Sequence, residues 1–337
     1  MAGKLLNNMG GSGSKRKARP YSSLQDIDRY ASFLQNSAIE KSTTKCYQTG
    51  AHDYISFCQA HNLSLRPTPL TLSRYIAYTS NSIASAPKYL TGARHYLKEF
   101  YPEFDEARNH PLVLSTIRGS KKVRADPVTR KLPLRTSHIS SFVSRSNATQ
   151  SYDDLLFATI MSCAFYGCHR IGELIVKSDK SLLDTRKLIK RSSLTFTNTH
   201  ATYRLPYHKA DPFYRGSDVV FSQQHDVANP VQLLHQYTAL RDKRHGPRLP
   251  LFLKEDGSLP NRTWFDNKFF SFISHDFGGH SARAGGATFY ASLGLSASII
   301  QAIGRWSSSA WEIYICDNPT VRAEHQLASI RLHLLQN

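Results

Sequence analysis

The sequence is short of acidic residues. Its 25 Asp and Glu stand against 43 Lys and Arg, which gives a formal net charge of +18. A chain with this excess resists self-association and is attracted to polyanions, so nucleic acid is the expected partner. Both the first 131 residues and the remainder are net basic. Both halves are therefore expected to touch phosphate.

Cysteines are few and do not form a paired pattern. They are an odd number, lie in apolar stretches and form no C-x-x-C frame: Cys46, Cys58, Cys163, Cys168 and Cys316. This favours buried thiols in a reducing compartment. Cys163, Cys168 and His169 are close in sequence, but a helix would carry them on different faces and no fourth ligand is apparent, so no zinc site is expected.

Long hydrophobic runs are also missing. No apolar run approaches the roughly 20 residues that cross a bilayer, and the N-terminus lacks the apolar core of a signal peptide. We therefore expect a soluble protein that is not secreted and has no membrane partner. Length and core-forming residues are present, since 337 residues with 17 Phe and 17 Tyr favour two domains with sizeable interiors.

The first part of the chain divides into a tail and a helical domain. Residues 1–20 combine a Gly/Ser spacer with a basic cluster at 15–19 and are predicted to be disordered. The cluster fits a nuclear import signal, a phosphate-gripping arm or a solvated tail. Residues 21–125 are predicted to form a bundle of four or five helices, including 43–61, 69–83, 86–100 and 111–122. The apolar stripe of the first of these is Cys46, Ala51, Tyr54, Ile55 and Cys58.

Basic side chains cluster toward the end of this helical domain. They indicate either a DNA-contacting face or an ordinary solvated one, and they are Lys88, Arg94, Lys98, Arg118, Lys121, Lys122 and Arg124. Residues 126–136 contain two prolines and are predicted to be a linker.

Residues 137–316 are predicted to form a second domain that is helical apart from a small sheet. Asp153 and Asp154 precede an apolar run at 155–164, which predicts a buried helix with acidic residues in its first turn. Alternating segments at 193–197, 202–207 and 217–221 predict an antiparallel sheet. Asn229-Pro230 begins a helix to about residue 243, and Asp256-Gly257 predicts a turn. The fold class is mainly α with a small antiparallel β-sheet, an α+β arrangement.

Three polar groups stand out in the second domain. His280 and Arg283 lie three apart on one face at the start of a helix, where anions are favoured, although a second H-x-x-R at 245–248 shows how weak this motif is alone. Arg170 follows the apolar helix, where burial of a guanidinium is costly unless it is paired or has a function. A structural ion pair with Glu173 is the simpler explanation. Lys209 falls in a turn just after a strand.

Together these residues resemble the tyrosine recombinases, or tyrosine integrases. That family places an arginine after an apolar helix, a lysine in a β-turn, His-x-x-Arg, a His or Trp, and a tyrosine nucleophile in this order along the chain. Six positions correspond here: Arg170, Lys209, His280, Arg283, Trp306 and Tyr314. The segment GRWSSSAWEIYI most resembles the corresponding segment of eukaryotic mobile-element recombinases of the Crypton and DIRS types. In many other members the His or Trp lies one residue farther from the tyrosine.

The resemblance implies an N-terminal core-binding domain, a catalytic domain and a role for each of the six residues. Tyr314 would attack the scissile phosphorus and form a 3′-phosphotyrosine bond. Arg170 and Arg283 would stabilise the charge on the phosphate oxygens, and Lys209 would protonate the departing 5′-oxygen. His280 would accept a proton or donate to the phosphate, while Trp306 would donate its indole N–H. We assign Glu173 the role of orienting Arg170.

No metal and no other cofactor is expected. Metal-dependent cleavage needs converging carboxylates, and the close pairs of note, Asp26 with Asp28 and Asp153 with Asp154, look like helix-start residues. A rival tyrosine, Tyr290, lies inside the His280 helix beside Phe289 and fits a core position better.

The same resemblance implies a DNA-integrating enzyme of a transposable element that works in the nucleus as a tetramer on two duplexes and is a monomer or dimer when free of DNA. Residues 317–337 have apolar residues at helical spacing and are expected to form a helical tail. The tail would dock either on its own domain or on the neighbouring protomer, and exchange between protomers is the favoured alternative. The alternatives are a non-catalytic DNA-binding protein derived from a recombinase and a type IB topoisomerase-like enzyme.

Overall fold

The computed structural model describes residues 22–125, 130–211 and 213–312. The chain divides into two compact units, Met1–Pro127 and Val128–Asn337. Within the described residues no helix is both long and apolar enough to span a membrane.

The first unit is built from helices. Their bounds are α1 Leu24–Ser37, α2 Lys41–Ala60, α3 Pro69–Ser80, α4 Ala86–Leu97, α5 Phe104–Asn109 and α6 Pro111–Arg124. Thr68 caps α3 by accepting from the Thr71 N–H, with Pro69 in the first turn, where its missing N–H costs nothing. The core lies among α2 to α6 and includes Tyr54, Tyr75 and Phe104.

Two details of the first unit correct the sequence predictions. The described part holds six helices, not four or five, because the six-residue helix α5 buries Phe104 and Ala107 between its neighbours. Cys46 is exposed, whereas an apolar setting was predicted for it. The buried face of α2 instead runs through Gly50, Ala51, Tyr54, Phe57 and Cys58.

The second unit surrounds the buried helix α8. Its elements are α7 Thr136–Thr149, α8 Tyr152–Tyr166, β1 Thr195–Phe196, β2 His200–Leu205, β3 Ser217–Ser222, α9 Pro230–His245, α10 Arg262–Phe270, α11 Ser281–Ser292 and α12 Ala297–Gly304. Nearly every residue of α8 is buried, which confirms the predicted apolar helix. Ser151 caps it, with its hydroxyl accepting from the Asp154 N–H.

The three strands form an antiparallel sheet in the order β1-β2-β3, as predicted. Thr195 pairs with Thr202, and Thr202 pairs with Val220. The predicted fold class, mainly helical with a small antiparallel sheet, is confirmed.

Helix α11 lies unusually close to α8, and this contact positions the site. A Cβ on Gly286 would lie 2.0 Å from the carbonyl oxygen of Phe165 and 2.9 Å from the Cys168 Sγ. Only glycine allows the two backbones to approach this far. The start of α11, which carries His280 and Arg283, is thereby held against the chain that leaves α8 toward Arg170.

Candidate active site

Arg170 is placed by a sharp turn at the end of α8. Cys168 is buried and has a left-handed φ of 45°, which turns the chain out of the helix. Arg170 then precedes a short 3₁₀ turn, Ile171–Glu173. Glu173 holds it twice, because Oε2 accepts from the Arg170 backbone N–H and Oε1 accepts from Nη1, both at 3.2 Å. The side chain of Arg170 is 26% exposed and that of Glu173 only 6%.

Glu173 is also the centre of a buried network that sequence reasoning missed. Its Oε2 lies 3.0 Å from Nδ1 of His169 and 3.4 Å from Nη2 of Arg305. The other ring nitrogen of His169 lies 2.8 Å from the Tyr203 hydroxyl. The chain Tyr203–His169–Glu173–Arg170 therefore links the core to the partly exposed guanidinium of Arg170.

The protonation states of this network follow from burial and charge. Burial and the neighbouring Arg305 lower the pKa of His169 to about 4, so its imidazole is neutral at pH 7. Burial alone would raise the pKa of Glu173, but the bond from His169 and the charge of Arg305 outweigh it and lower the pKa to about 2. Burial raises the pKa of Tyr203 well above its ordinary value. The neutral His169 thus donates from Nδ1 to the carboxylate and accepts the phenolic hydrogen at Nε2.

His280 and Arg170 line the same open pocket. Its volume is about 260 Å³, and it is lined by Arg170, Ile171, Gly172, Arg262, Gly279 and His280. Lost hydration and the charges of Arg283, Arg170, Arg262 and Lys209, in that order, lower the pKa of His280. An imidazole with a lowered pKa is neutral near pH 7 and can accept a proton.

Arg283 is buried behind this pocket. It is 1% exposed, and it donates from Nη1 to the Cys168 carbonyl and from Nη2 to the Gly304 carbonyl, both at 2.6 Å. The Trp306 ring, itself buried, covers the guanidinium, with Cζ 4.1 Å from the ring centroid. Burial and the nearby Arg170 lower the pKa of Arg283 to about 10, which leaves it charged at neutral pH.

Lys209 is exposed in the loop that follows β2. Its charge contributes to the lowered pKa of His280. Arg170 and His280 therefore line one pocket, and the charges of Arg283 and Lys209 act on the same imidazole. Trp306 packs on Arg283. Arg262, which also lines the pocket, was not anticipated from the sequence.

The predicted nucleophile, Tyr314, lies outside the described residues, as do the tail at 317–337, Cys316 and the basic cluster at 15–19. Tyr290, its rival, donates its hydroxyl to the Tyr166 carbonyl at 2.7 Å and packs beside a small core that includes Trp306. Burial raises the pKa of Tyr290. A bonded, half-buried phenol of this kind is poorly placed to attack DNA.

No cluster of His, Cys, Asp or Glu within the described ranges is arranged to hold a metal ion. Cys163 and Cys168 are fully buried, and burial raises the pKa of the Cys168 thiol to about 12. Asp154 accepts from Lys268 and from Thr149, so it serves as an ion-pair partner in addition to lying at the start of a helix.

The candidate DNA-binding residues of the first unit fall into two groups. Arg94 donates from Nη2 to Oδ2 of Asp105 at 2.8 Å, and Lys98 lies 2.5 Å from the same oxygen. One carboxylate thus neutralises part of the charge predicted to face DNA. The remaining side chains are exposed: Lys88, Arg118, Lys121, Lys122 and Arg124.

No protein-family model matches the sequence, and no curated protein matches it either. Solved structures do match. Lambda integrase, as a dimer bound to a COC′ core site, is 15% identical with a TM-score of 0.52, covering 88% of this chain and 97% of its own. XerH site-specific recombinase, bound to a difH substrate before cleavage, is 14% identical with a TM-score of 0.51, covering 90% of this chain and 84% of its own.

At these identities the likeness concerns the fold. The coverage extends over most of this chain and most of both solved chains. The chain therefore has the fold of the tyrosine recombinases.

Proposed function

We propose that the protein is a site-specific tyrosine recombinase that cleaves and rejoins DNA. The observation that carries the proposal is the pocket shared by Arg170 and His280. Lys209 and Arg283 lie close enough for their charges to act on the same imidazole. Fixed cations around a pocket stabilise the charge that develops on a phosphodiester during transfer.

In the proposed reaction the Tyr314 oxygen attacks the scissile phosphorus. A bond forms between that oxygen and phosphorus, the bond from phosphorus to the 5′-oxygen breaks, and a 3′-phosphotyrosine and a free 5′-hydroxyl result. The phenolic proton goes to neutral His280, and the ammonium of Lys209 gives its proton to the 5′-oxygen. The covalent bond keeps the backbone energy for resealing, so the cycle needs no nucleotide cofactor.

Arg170 and Arg283 have different parts in this scheme. Arg170 is partly exposed at the pocket and is held by Glu173, so it can donate to a phosphate oxygen without rearrangement. Arg283 is covered by Trp306, and both of its Nη atoms donate to carbonyls. The buried Nε of Arg283 has no hydrogen-bond partner among the described residues, and each Nη carries a second hydrogen. Nε and one Nη can therefore donate to phosphate while both carbonyl bonds remain, once the Trp306 indole shifts.

We further propose that the protein acts in the nucleus for a eukaryotic mobile element of the Crypton or DIRS kind, as a tetramer on two duplexes. The basic cluster at 15–19 supports a nuclear location, and the sequence of residues 304–315 supports a mobile element of this kind. The solved lambda integrase and XerH structures contain DNA, which supports duplex DNA as the partner. Deletion of residues 322–337 is expected to weaken assembly more than single-protomer DNA binding, and equal loss of both in gel-shift titrations would reject exchange of the tail.

The proposed activity is tested with nicked duplexes whose sequence is randomised around the nick. After incubation in EDTA, denaturing gels and sequencing of the trapped strands show whether a covalent adduct forms and on which site. We expect an adduct that Tyr314→Phe abolishes. DNA binding without any adduct would support the non-catalytic binder, and an adduct with supercoil relaxation but no strand exchange would support the topoisomerase.

A further inference from the structure

Arg262 is a third guanidinium at the pocket of Arg170 and His280. It is the first residue of α10, and its Nε donates to Oδ2 of Asp266 at 2.7 Å. Its side chain is 45% exposed. Within the described residues Nη1 and Nη2 have no hydrogen-bond partner. The bond to Asp266 therefore fixes one edge of the guanidinium and leaves the other edge available.

The backbone that carries Arg262 is joined to the segment that follows Arg170. The Arg262 N–H donates to the Val176 carbonyl, and the Val176 N–H donates to the Pro260 carbonyl, both at 2.9 Å. These bonds form an isolated parallel bridge between Val176 and Asn261. Arg170 and Arg262 are thus placed by one connected piece of backbone.

Gly279 makes room for the Arg262 guanidinium. A Cβ at this position would lie 2.8 Å from Arg262 Nη1 and 3.1 Å from Ile171 Cγ2. A side chain there would therefore force the Arg262 guanidinium to shift from its present position. The space that Arg262 occupies therefore depends on the glycine next to His280.

The pocket favours an anion. None of its lining residues is acidic, and the nearby Glu173 is only 6% exposed and already bonded to Arg170. The guanidinium groups of Arg170 and Arg262 both line the pocket, where their mutual repulsion is relieved by a bound phosphate. The planar, forked donors of arginine match phosphate oxygens.

We propose that Arg262 is a DNA-binding residue of the active site, which contacts the backbone within one nucleotide of the scissile phosphate through Nη1 and Nη2. The proposal rests on the proposed function and adds a residue to the site. Asp266 and Gly279 hold Arg262 in place: the carboxylate aligns the fork, and the glycine leaves space for it.

The test measures binding to a fluorescent 30-bp duplex of arbitrary sequence at increasing KCl. Each phosphate contact contributes about 0.9 to the slope of log affinity against log salt. We expect Arg262→Gln to lower the slope by about one unit and the affinity several-fold, and Arg262→Lys to keep most of the slope. Arg244→Gln is the matched control, since Arg244 is 48% exposed and paired with Glu255 at 3.0 Å but does not line the pocket.

Gly279→Ala provides a second variant that leaves every charge in place. It is expected to lower the affinity and the slope less than Arg262→Gln does, because the guanidinium is shifted and not removed. Gly279→Ala combined with Arg262→Gln should be no worse than Arg262→Gln alone. Thermal unfolding identifies any variant that fails to fold, and Arg262→Lys then decides.

The proposal is overturned if Arg262→Gln and Arg244→Gln change the slope equally or if neither changes it. This readout does not depend on cleavage. A wild-type protein that binds DNA without forming an adduct would reject the proposed function while the slope still decides the contact, and a wild-type protein that binds no DNA would overturn both.

Discussion

The guanidinium of Arg283 lies against the indole of Trp306, with Cζ 4.1 Å from the ring centroid. A cation over an indole face is attracted to it, and the attraction is strongest where water is excluded. Since Arg283 is only 1% exposed, the ring closes the site over a residue proposed to bind phosphate. Under the proposed function, contact between Arg283 and phosphate therefore requires the Trp306 ring to shift.

Substitutions of Trp306 distinguish the contribution of its ring from that of its indole N–H. Trp306→Phe keeps a ring over Arg283 and is expected to change stability little, while adduct formation slows about 10-fold if the indole donates one hydrogen bond in the transition state. Trp306→Ala also opens a cavity, which costs about 3 kcal/mol in the free energy of unfolding. Single-turnover cleavage and urea denaturation measure the two effects. Equal cleavage rates for Trp306→Phe and the wild type would show that the indole N–H does not donate a hydrogen bond in the transition state.

Removal of the Glu173 carboxylate should affect both stability and cleavage. Glu173→Ala leaves the buried charge of Arg305 unpaired and releases Arg170, and loss of one partner of a buried pair typically costs about 3–5 kcal/mol. Glu173→Gln retains the shape and two hydrogen-bonding atoms, so it should be less destabilised. The matched control is Glu255→Gln, on a half-exposed pair with Arg244. Cleavage by folded Glu173→Gln at the wild-type rate would contradict the orienting role.

Stability should fall in two steps on acidification. The pKa of His169 is lowered from 6.5 to about 4, so between these values the unfolded chain binds a proton that the folded one does not, and stability falls by up to about 3 kcal/mol as the pH decreases. The pKa of Glu173 is lowered to about 2, so its contribution is present above the ordinary carboxyl pKa and is lost as the pH falls toward 2. His169→Asn keeps a donor toward Glu173 and should flatten the first step in denaturation curves. An unchanged first step would assign it to other groups.

The pH dependence of cleavage should report on His280. Because burial and the charges of Arg283, Arg170, Arg262 and Lys209 lower its pKa, the cleavage rate should rise with pH through a midpoint below 6.5 and then level off. Arg262→Gln removes one of those charges and should move the midpoint upward, whereas Arg244→Gln should leave it in place. If Arg262→Gln left the midpoint unchanged, the charge of Arg262 would not act on the group that titrates.

The sequence predicted much of the fold because local patterns were strong. The apolar run of α8, the Asn229-Pro230 start of α9 and the alternating strands each carry their own signal, and the structure confirms all three. Helix α5 was not predicted because six residues are too few to show a helical repeat of apolar positions. Its formation depends on burying Phe104. Tertiary packing, which periodicity does not contain, decides such elements.

The site was predictable only where family motifs mark it. His169, Arg262 and Arg305 carry no motif signal of their own. Arg305, for example, reaches the network through contacts that cross up to 138 positions. The burial of Arg283 was equally hidden, because it arises from the Cys168 and Gly304 carbonyls and the Trp306 ring. Residue type and order indicate the chemistry, whereas the packing shows which groups face the pocket.

The role of Tyr314 as nucleophile is tested most directly by identifying the residue that becomes bonded to DNA. Adducts trapped on the selected nicked duplex in EDTA are digested with protease and nuclease, and mass spectrometry locates the modified peptide. We expect a nucleotide 3′-phosphate on Tyr314, retained in Tyr290→Phe and absent from Tyr314→Phe. Attachment at Tyr290, or an adduct that survives in Tyr314→Phe, would contradict that role.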